Sequence, residues 1–237
     1  RIAEAPFQYK PRGSGVSHAR ILAFGKDYLR LFRRVWAMRN SVEFSDYDWR
    51  AYDSRIWLQR YWQRKRHALI MGYVPPFVST CDVGCGSSRI LADLPHAIGV
   101  DLRRDKLVFM RRTNKRLVQG NGMCLPFGDE SFDCVISSQV IEHIPGENGR
   151  HILELNRILK PGGTLVLGTP DYGGWQWPLI ESVYAKVAPG GYADEHVTRY
   201  SLKSLVAAVE AVGLRVEGRD HICGAELIVK AVKPNRD

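Results

Sequence analysis

Phe77-Val78-Ser79-Thr80-Cys81-Asp82-Val83-Gly84-Cys85-Gly86-Ser87-Ser88 is the stretch of this 237-residue chain that decides its fold. A β-rich run ends in an acid, breaks at two glycines one residue apart, and passes through two serines into Arg89-Ile90-Leu91-Ala92-Asp93-Leu94. The order is strand, tight turn, helix start. Glycine suits such a turn because a side chain there would block a close ligand or forbid the backbone angles, and the helix start that follows offers free N–H groups. The stretch reads as a cradle for a nucleotide-like ligand.

Downstream, strands and helices alternate. His96–Asp101 is a short strand ending in an acid, Lys106–Lys115 suits a helix, and Leu117–Asn121 is a third strand. Ser131–Ser138 contains a fourth strand, followed by a helix from about Gly149 through Ile158. Pro161-Gly162-Gly163 turns into a fifth strand at Thr164–Gly168, and Leu202–Val212 is an apolar-periodic helix closed by Gly213. Leu214–Asp220 and Glu226–Val232 read as two strands joined near Cys223-Gly224, which makes that last pair antiparallel. Repeated βα units predict an α/β, doubly wound, mostly parallel sheet whose ligand lies at the carboxyl ends of the strands.

Upstream, residues 1–17 read as an irregular arm, and His18–Asn40 as a basic amphipathic helix with Ile21, Tyr28, Leu29, Phe32, Val35 and Trp36 at helical spacing. Ser45-Asp46-Tyr47-Asp48 suits a turn or N-cap before a second, aromatic helix running towards Met71, stopped by Pro75-Pro76. The expected division is a basic arm and helical cap over 1–74 and a ligand-binding domain over 75–237. Residues 1–70 carry 15 Lys and Arg against 6 Asp and Glu, while the remainder balances at 19 against 19, so the whole net charge of +9 sits in the N-terminal third. Such a surplus suits an anionic small molecule, a membrane surface touched peripherally, or nucleic acid; a solvated helical face is the plainer alternative. No apolar run reaches the roughly 18 residues of a membrane span, and with no apolar leader at Arg1 the expected location is cytoplasmic. The five cysteines form no C-x-x-C pair and are expected to be free buried thiols, with no metal site.

The glycine loop alone is weak evidence. An NAD-type fingerprint needs Gly or Ala three residues after the second glycine, where Arg89 stands, and no Gly-Lys-Ser/Thr follows for a P-loop. The acid before the loop, Asp82, would repel a pyrophosphate but suits an ammonium group. Asp101 lies 17 residues after Gly84 at a strand end, where a carboxylate can accept from both hydroxyls of a ribose or else cap the next helix. Gly120-Asn121-Gly122-Met123 follows the third strand; Asn121 can accept from the exocyclic amine of adenine while Gly122 or Met123 N–H groups face ring nitrogens.

Taken together, Cys81-Asp82-Val83-Gly84-Cys85-Gly86, Gly99-Val100-Asp101, Gly120-Asn121-Gly122 with Leu125-Pro126-Phe127, Ser131-Phe132-Asp133-Cys134-Val135, Val140-Ile141-Glu142-His143-Ile144 and Leu159-Lys160-Pro161-Gly162-Gly163 resemble the class I S-adenosylmethionine-dependent methyltransferases. The series is most similar to the small-molecule group of the ubiquinone/menaquinone-biosynthesis type and covers roughly residues 75–232. The resemblance implies a seven-stranded Rossmann-like sheet and S-adenosylmethionine as cofactor. It puts Gly84, Cys85, Gly86 and Ser87 along the methionine part and Asp82 near its amino group. Asp101 falls to the ribose with Leu102 beside it, Asn121, Gly122 and Met123 to adenine, and Ser138 and Gln139 to the middle of the cofactor. Two departures stand out: Ser88 where the family usually has a third glycine, and Asn121 where Asp is common.

Methyl transfer is an in-line displacement that needs the acceptor held about 3 to 3.5 Å from the methyl, plus a base where the acceptor is a hydroxyl. His143, just after the fourth strand, is one candidate base, although a Glu-His pair at this place also serves to fix a helix start. His196, in Asp194-Glu195-His196-Val197-Thr198-Arg199-Tyr200, is the other, with Tyr172 and Tyr200 expected as substrate walls. The Asn/Asp-Pro-Pro-Tyr motif of nucleic-acid amine methylation is replaced by Ser137-Ser138-Gln139-Val140, so a small-molecule acceptor is expected, with RNA methylation and a non-catalytic S-adenosylmethionine-binding module as alternatives.

Overall fold

Seven strands form one sheet in the order β3-β2-β1-β4-β5-β7-β6. They are β1 (Thr80–Val83), β2 (Ala97–Asp101), β3 (Arg116–Gln119), β4 (Phe132–Ser138), β5 (Leu159–Pro170), β6 (Arg215–Ile222) and β7 (Glu226–Val232). Among the described residues, only β7 runs antiparallel to its neighbours. The computed structural model describes residues 21–41, 43–145, 149–187 and 196–235; the arm expected over 1–17 and the pair Asp194-Glu195 lie outside the described residues. The helices are α1 (Ile21–Asn40), α2 (Tyr47–Tyr52), α3 (Trp57–Tyr73), α4 (Arg89–Asp93), α5 (Arg104–Met110), α6 (Arg150–Ile158), α7 (Gln176–Val187) and α8 (Leu202–Ala211).

The central strands are apolar on both faces because both faces are covered. Val135 and Leu165 pack with Ile152, Leu155 and Ile158 of α6 and Leu205 and Val209 of α8. Their neighbours Cys134, Ile136 and Val166 point the other way, against Ile70 of α3, Ile90 and Leu91 of α4, and Leu107 and Met110 of α5. Strand order reverses at β1, which pairs with β2 on one side and β4 on the other, so the crevice for a ligand opens beyond Val83 and Ser138.

Two compact units divide at Trp36/Ala37, with α1 up to Trp36 in one and α2 and α3 in the one that contains the sheet. Tyr28, Leu29, Phe32, Val35 and Trp36 of α1 are exposed. The single aromatic helix expected up to Met71 is two helices. Between them Ser54 Oγ accepts from the Ile56 N–H (3.1 Å), and Arg60 and Arg64 of α3 reach back to the Ser54 carbonyl (2.8 Å) and the Asp53 carboxylate (3.0 Å). A short polar side chain that offers its own oxygen to the backbone competes with helix continuation.

Helix α3 is anchored to the sheet by a buried ion pair. Arg66 donates twice to the carboxylate of Glu226 at the start of β7, at 2.6 and 2.7 Å, and Trp62 Nε1 donates to the same group at 2.5 Å. Glu226 is fully buried. Farther along, Tyr73 donates its hydroxyl to Asp220 of β6 (2.5 Å), and that proximity together with burial raises the tyrosine pKa to about 12, burial being the larger cause. Three of the five cysteines, Cys81, Cys85 and Cys134, are buried as expected, but Cys124 and Cys223 are exposed. Among the described residues no helix is long and apolar enough to cross a membrane.

Candidate active site

The glycine loop leaves β1 at Val83 and enters α4 at Arg89. Gly84 has φ of +73°, and a Cβ there would lie 2.1 Å from Val140 Cγ2, so both backbone angle and packing demand glycine. Ser88, where a third glycine is usual, has φ of −71° and ψ of 147°; its hydroxyl accepts from the Ile90 N–H as the N-cap of α4. Serine fits because the position is extended and capped, not left-handed.

The N–H groups of the loop itself, ahead of the helix start, are all taken up within the protein. Gly84 and Cys85 both donate to the Val100 carbonyl of β2, at 2.7 and 3.0 Å, and Ser88 donates to Cys85. The Gly86 N–H donates to Asp101 Oδ2 (2.8 Å), and the Ser87 N–H to Asp48 Oδ2 (3.2 Å). Every N–H from 84 to 88 thus has a partner within the protein, two of them carboxylates. An anion cradle needs those donors; here two are taken by acidic side chains and three by backbone carbonyls.

Asp48, on α2, is expected from the sequence only as part of a turn or N-cap, not as a partner of the glycine loop. Its carboxylate receives the Ser87 N–H and hydroxyl and lies 3.2 Å from Lys106 Nζ, while its own N–H donates to Ser87 Oγ. Burial pushes its pKa up, but Lys106 and the Ser87 hydrogen bonds outweigh this and hold it below the usual carboxylate value. Ser87, expected against the cofactor, is fully buried and engaged with Asp48 instead. Cys85 is likewise turned into the core, 2% exposed, so only its backbone borders the crevice.

Asp82 is different. It is 3% exposed, and its Oδ2 has no hydrogen-bond partner. Burial first, and the neighbouring Asp101 carboxylate second, raise its pKa to about 7. A buried carboxylate oxygen without a donor is costly, and a cationic ligand group is the natural remedy. Asp101 has one oxygen on Gly86 and the other on the Arg103 N–H (2.7 Å), so it ties loop to turn, and Leu102 beside it is exposed at 67%. Asp101 does not cap α5, whose N-cap is Arg103.

After β3, Asn121 Oδ1 accepts from the Met123 N–H (2.9 Å). Met123 therefore cannot also offer that N–H to a ligand ring in this arrangement, whereas asparagine serves the turn as well as aspartate would. His151 of α6, another residue missed from the sequence, is buried and bridges Gly122 O to Ser137 Oγ at 2.8 and 2.9 Å, locking the loop after β3 to the end of β4. Burial lowers its pKa, opposed by the Gly122 carbonyl. Ser138 Oγ and Gln139 Nε2, expected at the middle of the cofactor, are buried without protein partners, and Gln139 holds a left-handed φ of +60°.

Beyond β4 and β5 the two expected histidines come together. The His143 and His196 rings lie 5.0 Å apart in an edge arrangement. His143 is exposed; His196 is 8% exposed, with Nδ1 2.7 Å from the Tyr172 hydroxyl and 3.1 Å from Glu181 on α7. Burial and His143 lower the His196 pKa, while Glu181 opposes them. Tyr172 also donates to Glu181 (2.7 Å), and burial followed by that carboxylate push its hydroxyl well up. Helix α7 carries Pro178 in its first turn, where proline is tolerated. Tyr200 is a correction: it sits in the hydrophobic core beneath α8 rather than on a substrate wall.

A methyltransferase domain model matches residues 81–167. Over 151 residues the chain is 30% identical to a protein of Encephalitozoon cuniculi named "Putative methyltransferase", covering 62% of this chain and 68% of that one. Over 131 residues it is 30% identical to the ubiquinone/menaquinone biosynthesis C-methyltransferase of Legionella pneumophila, covering 46% of this chain and 51% of that enzyme. The chain spans about half the length of most curated relatives it matches. A crystal structure of a Methanosarcina mazei S-adenosylmethionine-dependent methyltransferase superposes with a TM-score of 0.58 at 19% identity, over 71% of this chain and 98% of that one, a likeness of fold. Sheet order, carboxylate-lined loop and relatives agree, and the chain belongs to the class I S-adenosylmethionine-dependent methyltransferases.

Proposed function

We propose that this protein transfers a methyl group from S-adenosylmethionine to a small-molecule acceptor. The observation that carries the reading is the buried, partnerless Asp82 oxygen beside a loop whose N–H groups are already occupied. Such a site rejects phosphates and receives an ammonium, and the amino-acid end of S-adenosylmethionine carries one. Its sulfonium supplies an electrophilic methyl when bound.

The residues fit the rest of that cofactor. Asp101 would meet the ribose hydroxyls, Leu102 would cover an adenine face with its exposed side chain, and Asn121 and Gly122 would border the ring edge. Ser138 Oγ and Gln139 Nε2 are polar atoms in need of partners where the middle of the cofactor would lie. The task left to the protein is positional: hold the acceptor in line and exclude water.

The acceptor would approach from the side of His143 and His196, and this pair would manage its proton where the acceptor is a hydroxyl. Glu181 and Tyr172 fix the orientation of the His196 ring. Calorimetric titration with S-adenosylmethionine tests the cofactor, and no binding at millimolar concentration refutes the proposal. A methylation screen over quinols, phosphorylated sugars and RNA tests the acceptor: product from RNA alone overturns the small-molecule reading, and binding without any transfer favours a non-catalytic module.

A further inference from the structure

We infer that Glu142, His143 and His196 form a site for a divalent transition-metal cation, zinc by preference. A Glu142 carboxylate oxygen and one ring nitrogen from each histidine all lie within 4.8 Å of one another. An ion with bonds of about 2.1 Å needs tetrahedral ligands about 3.4 Å apart, a closure of about 1.4 Å at most from the spacing present.

Three further observations point to a ligand here. Glu142 is 1% exposed, and while its Oε2 accepts from Thr169 Oγ1 at 3.1 Å, its Oε1 is buried with no hydrogen-bond partner. His196 turns Nδ1 to Glu181 (3.1 Å), the carboxylate–histidine arrangement that orients a metal-binding ring. The two chain segments are stitched together: the Thr198 N–H donates to the Glu142 carbonyl (3.0 Å) and Thr198 Oγ1 to the Ile144 carbonyl (2.6 Å).

Two imidazoles and one carboxylate suit zinc, iron or manganese better than magnesium or calcium, and three protein ligands leave positions open for an exchangeable oxygen ligand. A hydroxyl of the acceptor bound there would be acidified by the ion, which would then replace proton uptake by the metal-free imidazoles. That use rests on the methyl-transfer reading; binding of the cation does not.

Zinc chloride is titrated calorimetrically into the full chain carrying Cys124→Ser and Cys223→Ser, so that exposed thiols do not compete. One equivalent is expected. His143→Ala, at an exposed position where folding is not at stake, and the near-isosteric Glu142→Gln should each weaken binding at least about a hundredfold, and Glu181→Gln about ten- to a hundredfold. No saturable binding in the parent, or unchanged affinity in either ligand variant, overturns the inference. S-adenosylmethionine is left out of the titration, so failure here is distinct from failure of the methyl-transfer reading.

Discussion

Cofactor affinity should depend on pH through a single carboxylate. Asp82 has a pKa of about 7 because it is buried and faces Asp101, so at neutral pH about half of the unliganded protein carries it as the neutral acid. A ligand ammonium needs the carboxylate. The sign follows: below pH 7 binding must drive a proton off Asp82, so affinity falls as pH falls. The ionised fraction is about 0.5 at pH 7, about 0.09 at pH 6 and about 0.01 at pH 5. Provided the bound carboxylate stays ionised, S-adenosylmethionine should bind about fivefold more weakly at pH 6 than at pH 7, and about fiftyfold more weakly at pH 5. Titration below pH 7 in buffers of different ionisation enthalpy should register release of close to one proton per site. Asp82→Asn should bind weakly at all pH values and lose the slope. A dissociation constant that is flat between pH 5 and 7, or the same slope in Asp82→Asn, refutes the assignment of the ammonium to Asp82.

Asp101→Ala should weaken S-adenosylmethionine binding by roughly 1.5 to 3 kcal/mol, about ten- to a hundredfold, since it removes hydrogen bonds to a charged group and also frees the Gly86 N–H; an unchanged constant by calorimetry would leave Asp101 only a turn-former. Arg66→Met leaves Glu226 buried without its cation and should cost about 3 to 5 kcal/mol in urea unfolding, with much of that recovered in the double variant Arg66→Met, Glu226→Leu. Asp48→Ala removes a carboxylate whose pKa is held down; its contribution to stability is present above about pH 4, the ordinary carboxylate value, and lost on acidification through the lower folded value. At pH 7 the variant should unfold at lower urea than the parent, and the gap should close towards pH 2.

The strands and their order of appearance were legible because they are buried on both sides, and residues such as Cys134-Val135-Ile136 carry that burial as an unbroken apolar run. Gly84, Asp82 and Asp101 were legible because a turn needing positive φ and two acids at strand ends leave marks in the local sequence. Asp48 was not. Its partner Ser87 is 39 positions away, and nothing around Tyr47-Asp48-Trp49 distinguishes a loop-binding acid from a helix cap. His151 escaped for the same reason: among the apolar residues of α6 it reads as one more amphipathic position, and only the fold brings Ser137 and Gly122 to its two nitrogens. The break between α2 and α3 was hidden because aromatic spacing runs through it, while the decisive hydrogen bonds come from Arg60 and Arg64 beyond the break.

Three carboxylates converge on one glycine loop, and their unequal satisfaction selects the ligand. Asp48 holds Ser87 and Lys106; Asp101 holds Gly86 and Arg103; Asp82 alone keeps a buried oxygen without a donor. A phosphate entering here would meet acids in place of backbone donors, with Lys106 already paired to Asp48. The usual function of a glycine turn before a helix is therefore reversed in this chain. The two satisfied acids take the Gly86 and Ser87 N–H groups and backbone carbonyls take the other three, so the donors with which such loops attract anions are occupied, and the third acid is left as the feature a ligand can still satisfy. On the proposed reading, the glycines would allow close approach to Asp82 rather than to backbone N–H, and a positively charged amino group, not a pyrophosphate, is the ligand end that would satisfy the remaining oxygen.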